Sequence, residues 1–289
     1  MQYIFCCGMY RSSSTWQYEV VSHLVEEYRQ GVRLGFVQGK RLKELPGREH
    51  GLQAIRILKT HDVQEIFKRE LNAGNAIPIY SYRDLRDVAF SYMHKAALTF
   101  EELIKQKFLE KVLANDAFWR AAPHVVCQKY EDVIADEVAA VIRLSRAVGV
   151  ELSRDQAVQI AQEYSWEANL KRSHEVADRA KATGIDLTKK ANVFTQDEHT
   201  LLHWNHLRQG ARKSWRELAT PSQREVLFRK CGSWLVANGY EADDSWAASE
   251  YQARTSAVAR LDGRSLGARP TAWFRSLWQG IASRLSLRH

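Results

Sequence analysis

Residues 3–16, with the sequence YIFCCGMYRSSSTW, are the stretch that decides the fold of this chain. Residues 3–7 are a short apolar run rich in strand-forming side chains, and Gly8 ends it. A polar loop follows, and from residue 15 to about 29 apolar side chains recur at helical spacing. Because N–H groups at a helix start attract negative charge, a strand, a serine-rich turn and a helix in this order can bind an anion.

The alternation of strands and helices continues along the chain. Apolar runs predict further strands at residues 54–60, 76–82 and 124–129. Spacing and capping residues predict helices at 62–74 (capped by Asp62 and closed by Gly74), from 84, and at 100–119, 132–148, 153–170 and 221–236. This order predicts an α/β fold, a three-layer P-loop-type parallel sheet flanked by helices, whose ligands bind beyond the carboxyl ends of the strands.

The composition is that of a globular protein. The chain has 289 residues, 45% of them hydrophobic, and no run of 18 apolar residues. Its first residues lack a basic signal-like segment, so we expect the mature protein to begin near Met1 and to stay in the cytoplasm. The cysteines show no metal-ligand spacing, which disfavours a metal site and a disulfide framework, and three fall in predicted buried strands. They are Cys6, Cys7, Cys127 and Cys231.

Positive charge is concentrated at the end of the chain. The net charge is +8, and residues 254–289 hold seven arginines and one acid, Asp262, which makes that segment +6. The rest is close to neutral, so we expect no nucleic-acid partner. We therefore predict a domain at residues 1–240 and a basic tail at 241–289.

The serine-rich loop differs from the loops of nucleoside-triphosphate enzymes. Their motif, G-x-x-x-x-G-K-[ST], has glycine and lysine where this chain has Ser13 and Ser14. Without that lysine, binding of a magnesium–nucleoside triphosphate is disfavoured. By itself the loop fits helix capping and anion binding equally well.

Three segments at the predicted strand ends, and a fourth near the end of the predicted domain, carry a family resemblance. They are RSSSTW at residues 11–16, KTH at 59–61, YRDLRDVAFSY at 82–92 and RQGARKSW at 208–215. In order and spacing they resemble the motifs of the cytosolic-type sulfotransferases: R-S-G-S-T-W in bacterial members, K-T-H, Y-R-N-P-R-D-V-A-V-S-Y and R-K-G-x-x-G-x-W. The resemblance covers roughly residues 3–240.

The resemblance implies that the first loop holds the 5′ end of 3′-phosphoadenosine-5′-phosphosulfate (PAPS). Arg11 would touch the oxygen that bridges phosphate and sulfate, Thr15 would line the 5′ phosphate, and Trp16 would stack on adenine. The remaining loop residues are Ser12, Ser13 and Ser14, with Ser13 in place of the family's glycine.

His61 is the candidate general base, with Lys59 beside it. The family's K-T-H histidine has this role, and an unperturbed histidine pKa of about 6.5 suits it near neutral pH. The alternative is a surface histidine on a turn. The adjacent lysine and the nearby phosphate loop favour the base.

Two further motifs imply a site for the donor's 3′ phosphate. Arg83 and Ser91 hold this phosphate in the family, where an arginine offers a bidentate fork. A loop closing over the 3′ phosphate and adenine would contain Arg208, Gln209 and Gly210. The alternative is that neither segment binds a ligand, so that the first is a capped helix and the second is a solvent-exposed basic loop.

Two shorter matches complete the implied site. Tyr130, in Y-E-D, would line the nucleotide, and Trp166, in Y-S-W, would cover adenine opposite Trp16. Either residue could instead serve packing.

The sequence as a whole thus predicts transfer of a sulfuryl group from PAPS to a hydroxyl, with adenosine 3′,5′-bisphosphate (PAP) as product and no metal. The acceptor would be a small molecule, a carbohydrate or a glycolipid, lined by residues 31–50, 96–118 and 192–206. The alternatives are a P-loop kinase-like enzyme and an inactive nucleotide-binding or membrane-docking protein.

The tail contains one amphipathic segment. Its apolar side chains fall on one face of a predicted helix: Trp273, Phe274, Leu277, Trp278, Ile281 and Leu285. A basic helix with such a face can lie in a membrane interface. A terminal helix that packs on the body fits equally well.

Overall fold

A parallel sheet is the centre of the computed structural model, which describes residues 3–38, 54–205, 207, 214–243, 245 and 246. Its strands are β1 (Tyr3–Gly8), β2 (Gly31–Phe36), β3 (Ile55–Thr60), β4 (Ala76–Tyr82) and β5 (Val126–Lys129). They pair in the order β2-β3-β1-β4-β5, all parallel. The predicted α/β fold is confirmed, and the carboxyl ends of β1, β3 and β4 meet at one edge.

Helices cover both faces of this sheet. In chain order they are α1 (Ser14–Tyr28), α2 (Glu65–Asn72), α3 (Leu85–Ala96), α4 (Phe100–Lys105), α5 (Phe108–Arg120), α6 (Tyr130–Ala135), α7 (Glu137–Ala147), α8 (Arg154–Glu163), α9 (Trp166–Ala182), α10 (Trp215–Leu218) and α11 (Pro221–Ala237), with a 3₁₀ turn at Lys190–Asn192. Polar caps begin several of them, such as Asp84, whose carboxylate accepts from the N–H of Arg86.

The alternating side chains of β1 explain why both faces are covered. All six residues of β1 are buried, as expected for a central parallel strand. Ile4 and Cys6 join a core with α1, α7 and α8. On the opposite face, the ring of Phe5 lies 5.2 Å from that of Phe67 and 6.3 Å from that of Trp119.

The strand β2 was not predicted. It lies at the sheet edge, every residue in it is half-buried, and Gly31, Arg33 and Gly35 interrupt any apolar run. An edge strand needs no continuous apolar pattern, so its sequence resembled a loop.

Several predicted helices are shorter or divided. The 62–74 helix begins only at Glu65, with Gln64 rather than Asp62 at its N-cap, and the carboxylate of Asp62 instead lies 3.5 Å from Lys111 Nζ. The 100–119 helix breaks before Lys107, which has a φ of 53°. The 132–148 and 153–170 helices break at Asp136 and at Ser165, whose side chains cap the helices that follow. Helical periodicity continues across such breaks, so the spacing alone does not reveal them. The predicted 124–129 strand begins only at Val126.

The chain divides into two compact units, Met1–Ala242 and Asp243–His289. In the second, the N–H of Ser245 donates to Asp243 Oδ1. The predicted tail helix lies outside the described residues. Within the described part, no helix has the length and apolar character needed to cross a membrane.

Candidate active site

The loop from Gly8 to Thr15 is shaped by buried serine contacts and two left-handed residues. Arg11 and Ser13 have φ values of 64° and 67°. The hydroxyl of Ser12 donates to the Met9 carbonyl at 2.7 Å and lies 2.9 Å from Ser81 Oγ. The side chain of Ser12 is therefore engaged in shaping the loop.

The left-handed backbone of Ser13 explains the departure from the family motif. Glycine adopts a positive φ without steric cost, whereas serine carries a Cβ that disfavours it. Ser13 nevertheless takes the conformation that the family's glycine would allow, and its N–H precedes the start of α1. The substitution thus leaves the left-handed turn in place.

Lys59 reaches from β3 to the start of α1. Its Nζ donates to Thr15 Oγ1 at 2.6 Å, because Lys59 lies in register with Cys6 on the neighbouring strand β1. Burial lowers the pKa of Lys59 to about 7, against the opposing effect of Glu19. Through its bond to Thr15, this amine lies beside the start of α1.

His61 is tied to the first residue of the loop. Its Nδ1 lies 2.7 Å from the Gly8 carbonyl, which can only accept, so Nδ1 carries the proton and Nε2 has the lone pair. Burial, and secondarily Lys59, lowers the pKa of His61 to about 3. The imidazole is therefore neutral at pH 7 and able to accept a proton.

Aromatic rings surround this imidazole. The ring of Tyr10 lies 4.4 Å from that of His61, and the ring of Phe36 lies 5.6 Å from it. Tyr92 and Phe108 stack at 4.3 Å and both contact Tyr10. Phe36 and Phe108 belong to two of the segments predicted to line the acceptor. His61 thus faces an apolar wall.

Hydrogen bonds link Arg11 of the loop directly to Ser91 and Arg83, the two residues predicted to bind the 3′ phosphate. Arg11 Nε donates to Ser91 Oγ at 2.9 Å, and Arg83 Nη1 donates to the Arg11 carbonyl at 3.3 Å. The Arg83 guanidinium lies 4.2 Å from the centre of the Tyr130 ring and 3.4 Å from Asp87 Oδ2. Arg83 Nε is buried and makes no hydrogen bond with the described residues, so it retains a donor for a ligand.

One cavity of about 160 Å³ gathers most of the predicted donor-binding residues. Those that line it are Arg11, Ser13, Thr15, Trp16, Arg83, Ser91, Tyr130 and Trp166. Ser14 instead packs beside Gly8. Lys59 and His61 do not line this cavity: Lys59 donates to Thr15, which does, and His61 bonds Gly8 at the beginning of the loop.

The cavity also contains two polar residues that the sequence motifs did not identify. Glu19 and Asn169 line it, each three residues after a predicted adenine-covering tryptophan. That helical spacing was the available signal. Arg208, Gln209 and Gly210 lie outside the described residues. In the described ranges, no group of three or more His, Cys, Asp and Glu side chains is placed to hold a metal ion.

Comparisons with known proteins agree with this geometry. The chain matches the family described as "Sulfotransferase domain" over residues 2–239. No curated protein sequence matches it.

Solved structures share the fold at low identity. A retinol dehydratase complexed with retinol and PAP has a TM-score of 0.54 at 17% identity, over 81% of this chain and 82% of that chain. A retinol dehydratase with androsterone and PAP gives 0.53 at 16%, over 81% of each chain. A mouse sulfotransferase complexed with PAP gives 0.51 at 16%, over 80% of this chain and 84% of that chain.

Proposed function

This chain belongs to the sulfotransferase domain family, and from that premise we propose that it transfers a sulfuryl group from PAPS to an acceptor hydroxyl, with His61 as general base. The observation that carries the proposal is the 2.7 Å bond between His61 Nδ1 and the Gly8 carbonyl, which holds this imidazole beside the loop that precedes α1. Neighbouring structures contain PAP, which supports the choice of donor.

The cationic groups fit a ligand with two phosphates. Arg11 lies in the loop and Lys59 reaches its end at the start of α1, while Arg83 follows β4 and Ser91 lies on α3. The unused Arg83 Nε is a buried donor that a phosphate oxygen would satisfy. No metal is required for charge neutralisation in this scheme.

The mechanism is an in-line displacement at sulfur. The acceptor oxygen forms a bond to sulfur, the bond between sulfur and the bridging phosphate oxygen breaks, and negative charge builds on the leaving phosphate. Arg11, Lys59 and loop N–H groups stabilise that charge. His61 Nε2 takes the hydroxyl proton. Ser91 holds Arg11 in place before the reaction through the 2.9 Å bond.

The aromatic wall around His61 supports a hydroxyl-bearing small molecule as the acceptor. Tyr10, Phe36, Tyr92 and Phe108 offer apolar contact area next to the base. Related structures hold retinol and androsterone, both apolar alcohols. A carbohydrate or glycolipid is the alternative acceptor class.

The first test separates the base from donor binding. We expect His61→Ala to lower kcat with labelled PAPS and a pool of phenol, steroid and sugar acceptors by about 10²- to 10⁴-fold. Its affinity for PAP, measured by isothermal titration, should match the wild type. The exposed His174→Ala serves as control. Loss of both turnover and PAP binding would contradict the base role.

The second test separates sulfotransferase from kinase-like binding. Because the loop lacks the lysine of triphosphate enzymes, PAP should bind much more tightly than ATP with magnesium. Titration of both nucleotides into the same preparation decides this. Preferential ATP binding would favour the kinase-like alternative.

Peripheral membrane contact of a cytoplasmic enzyme is a further part of the proposal, and it rests on the amphipathic pattern of residues 273–285. The test is co-sedimentation of the full-length and 1–253 proteins with anionic liposomes. Equal sedimentation of the two proteins with the liposomes would rule out membrane contact through the tail.

A further inference from the structure

The wall of the cavity holds two buried oxygen-bearing side chains that lack hydrogen-bond donors. Glu19, on α1, is 1% exposed, and neither carboxylate oxygen receives a hydrogen bond from the described residues. Asn169, on α9, is 6% exposed, and its Oδ1 is equally without a donor. Buried acceptors are almost always paired, so two bare ones at one cavity indicate a ligand that supplies N–H or O–H groups.

The orientation of the Asn169 amide is fixed by its other end. Its Nδ2 donates to the Tyr164 carbonyl at 2.7 Å. Because a carbonyl can only accept, exchanging the amide nitrogen and oxygen would break this bond. Oδ1 is therefore the atom that remains as acceptor.

The two acceptors lie where α1 and α9 come together. Arg172, three residues after Asn169 on α9, has its Nη1 3.7 Å from Glu19 Oε1. This distance is too long for a hydrogen bond but allows charge compensation. Glu19 and Asn169 also follow Trp16 and Trp166, respectively, by three residues, which places each acceptor one helical turn from a ring that lines the cavity. The arrangement suits a flat heteroaromatic ring with an amino group on its inner edge.

We propose that Glu19 and Asn169 are specificity-determining residues that accept hydrogen bonds from the exocyclic amino group of the donor's adenine. The inference rests on the proposed function, since it presumes an adenine nucleotide between Trp16 and Trp166. The amino group offers two N–H donors to the two acceptors. Hypoxanthine and guanine have a carbonyl oxygen at this position, which would face oxygen on both helices.

Glu19 keeps this ability in either protonation state. Burial raises its pKa to about 7, against the effect of Arg172. An ionised carboxylate accepts at both oxygens, and a protonated one retains an acceptor oxygen. The adenine contact therefore does not require one charge state.

The test compares PAP with inosine 3′,5′-bisphosphate, which replaces the amino group by oxygen. Isothermal titration of the full-length wild type should show PAP binding about 10- to 100-fold more tightly. Glu19→Gln is nearly isosteric and can turn an amide N–H towards the inosine oxygen. It should therefore reduce the ratio of the two dissociation constants, inosine nucleotide over PAP, to about three or less. Glu27→Gln, the same change at an exposed position of α1, should keep the wild-type ratio.

Each outcome decides the inference. Equal affinity of the wild type for both nucleotides, or an unchanged ratio in a folded Glu19→Gln protein, would overturn it and leave the proposed function standing. Absence of PAP binding would overturn the proposed function itself. If Glu19→Gln does not fold, Asn169→Leu probes the same edge from α9 and should also narrow the ratio; an unchanged ratio there would count against the inference.

Discussion

At the scale of single residues, burial and one hydrogen bond set the chemistry of His61. The Gly8 carbonyl fixes the tautomer, and burial keeps the ring neutral. Lys59 is buried next to it, so that two basic groups share a small volume at the sheet edge. The positive charge of Lys59 opposes protonation of His61 and, together with Arg11, favours an anionic ligand at this edge.

The lowered pKa of His61 predicts a loss of stability in acid. The unfolded chain binds a proton at this histidine near pH 6.5, whereas the folded protein does so only near pH 3. The contribution is therefore complete above pH 6.5 and lost as the pH falls towards 3. Between pH 7 and 5 it should lower the free energy of unfolding by roughly 2 kcal/mol.

Urea unfolding at both pH values measures this contribution. His61→Gln should abolish the fall in unfolding free energy that His61 causes between pH 7 and 5. The control His174→Gln, at an exposed position, should show the same fall as the wild type. An identical pH dependence in wild type and His61→Gln would contradict the assignment.

The left-handed backbone of Ser13 leads to a second prediction, on the stability of variants at this position. At a φ of 67°, a residue with a Cβ is strained, and glycine is not. Ser13→Gly should therefore be more stable than Ser13→Ala by about 1 kcal/mol, although glycine ordinarily destabilises a folded chain. Thermal unfolding of the two variants compares them, and the opposite order would contradict the strain.

At the scale of elements, α3 organises the phosphate-binding side of the site. Asp84 caps its start and pairs with the fully buried Arg86, Asp87 meets Arg83, and Ser91 holds Arg11. The helix thereby joins β4 to the loop after β1. The close approach of these two strand ends depends on Gly8, which leaves room for Ser81.

The lack of a side chain at Gly8 leads to a prediction about the packing of β1 against β4. A Cβ at this position would lie 2.1 Å from Ser81 Oγ and 2.9 Å from its carbonyl oxygen. Gly8→Ala should therefore push β1 and β4 apart and cost about 1–3 kcal/mol of stability. Adding Ser81→Gly should restore part of this loss, because it removes the nearer atom. Urea unfolding of the single and double variants tests this, and full stability of Gly8→Ala would refute it.

At the scale of the whole molecule, the last residues of the first unit are held by a buried ion pair. Arg86 Nη1 donates to Glu241 Oε1 at 2.5 Å, one residue beyond the predicted domain end at 240. The core residues of this unit all precede this contact. The functional boundary should thus lie after Glu241.

Two truncations test this boundary. A chain ending at Ala242 should unfold at the same temperature as the full chain. A chain ending at Tyr240 loses one of the two acidic partners of Arg86 and keeps the other, Asp84. It should therefore unfold about 2–4 °C lower, since losing one hydrogen bond to a buried charged group costs about 1 kcal/mol. Glu241→Gln in the full chain is the matched control, and its unfolding temperature should lie between those of the two truncated chains. Equal unfolding temperatures for both truncations would contradict the role of Glu241.

The sequence by itself determined four of the five strands of the described sheet and the edge at which the candidate residues meet. Buried parallel strands such as β1 and β4 are continuous apolar runs, and residues at their ends share one edge by topology. Hence the strand pattern and the motifs at the strand ends were enough to assign Arg11, Lys59, His61 and Arg83 to one site. Their catalytic and binding roles stay predictions.

Tertiary structure decided what local patterns do not encode. The edge strand β2 forms because β3 supplies its hydrogen bonds, and the bare acceptors of Glu19 and Asn169 arise only where α1 meets α9. Local sequence specifies periodicity and caps. Which polar atoms remain without partners depends on elements distant in the chain, and that is settled only when the chain packs.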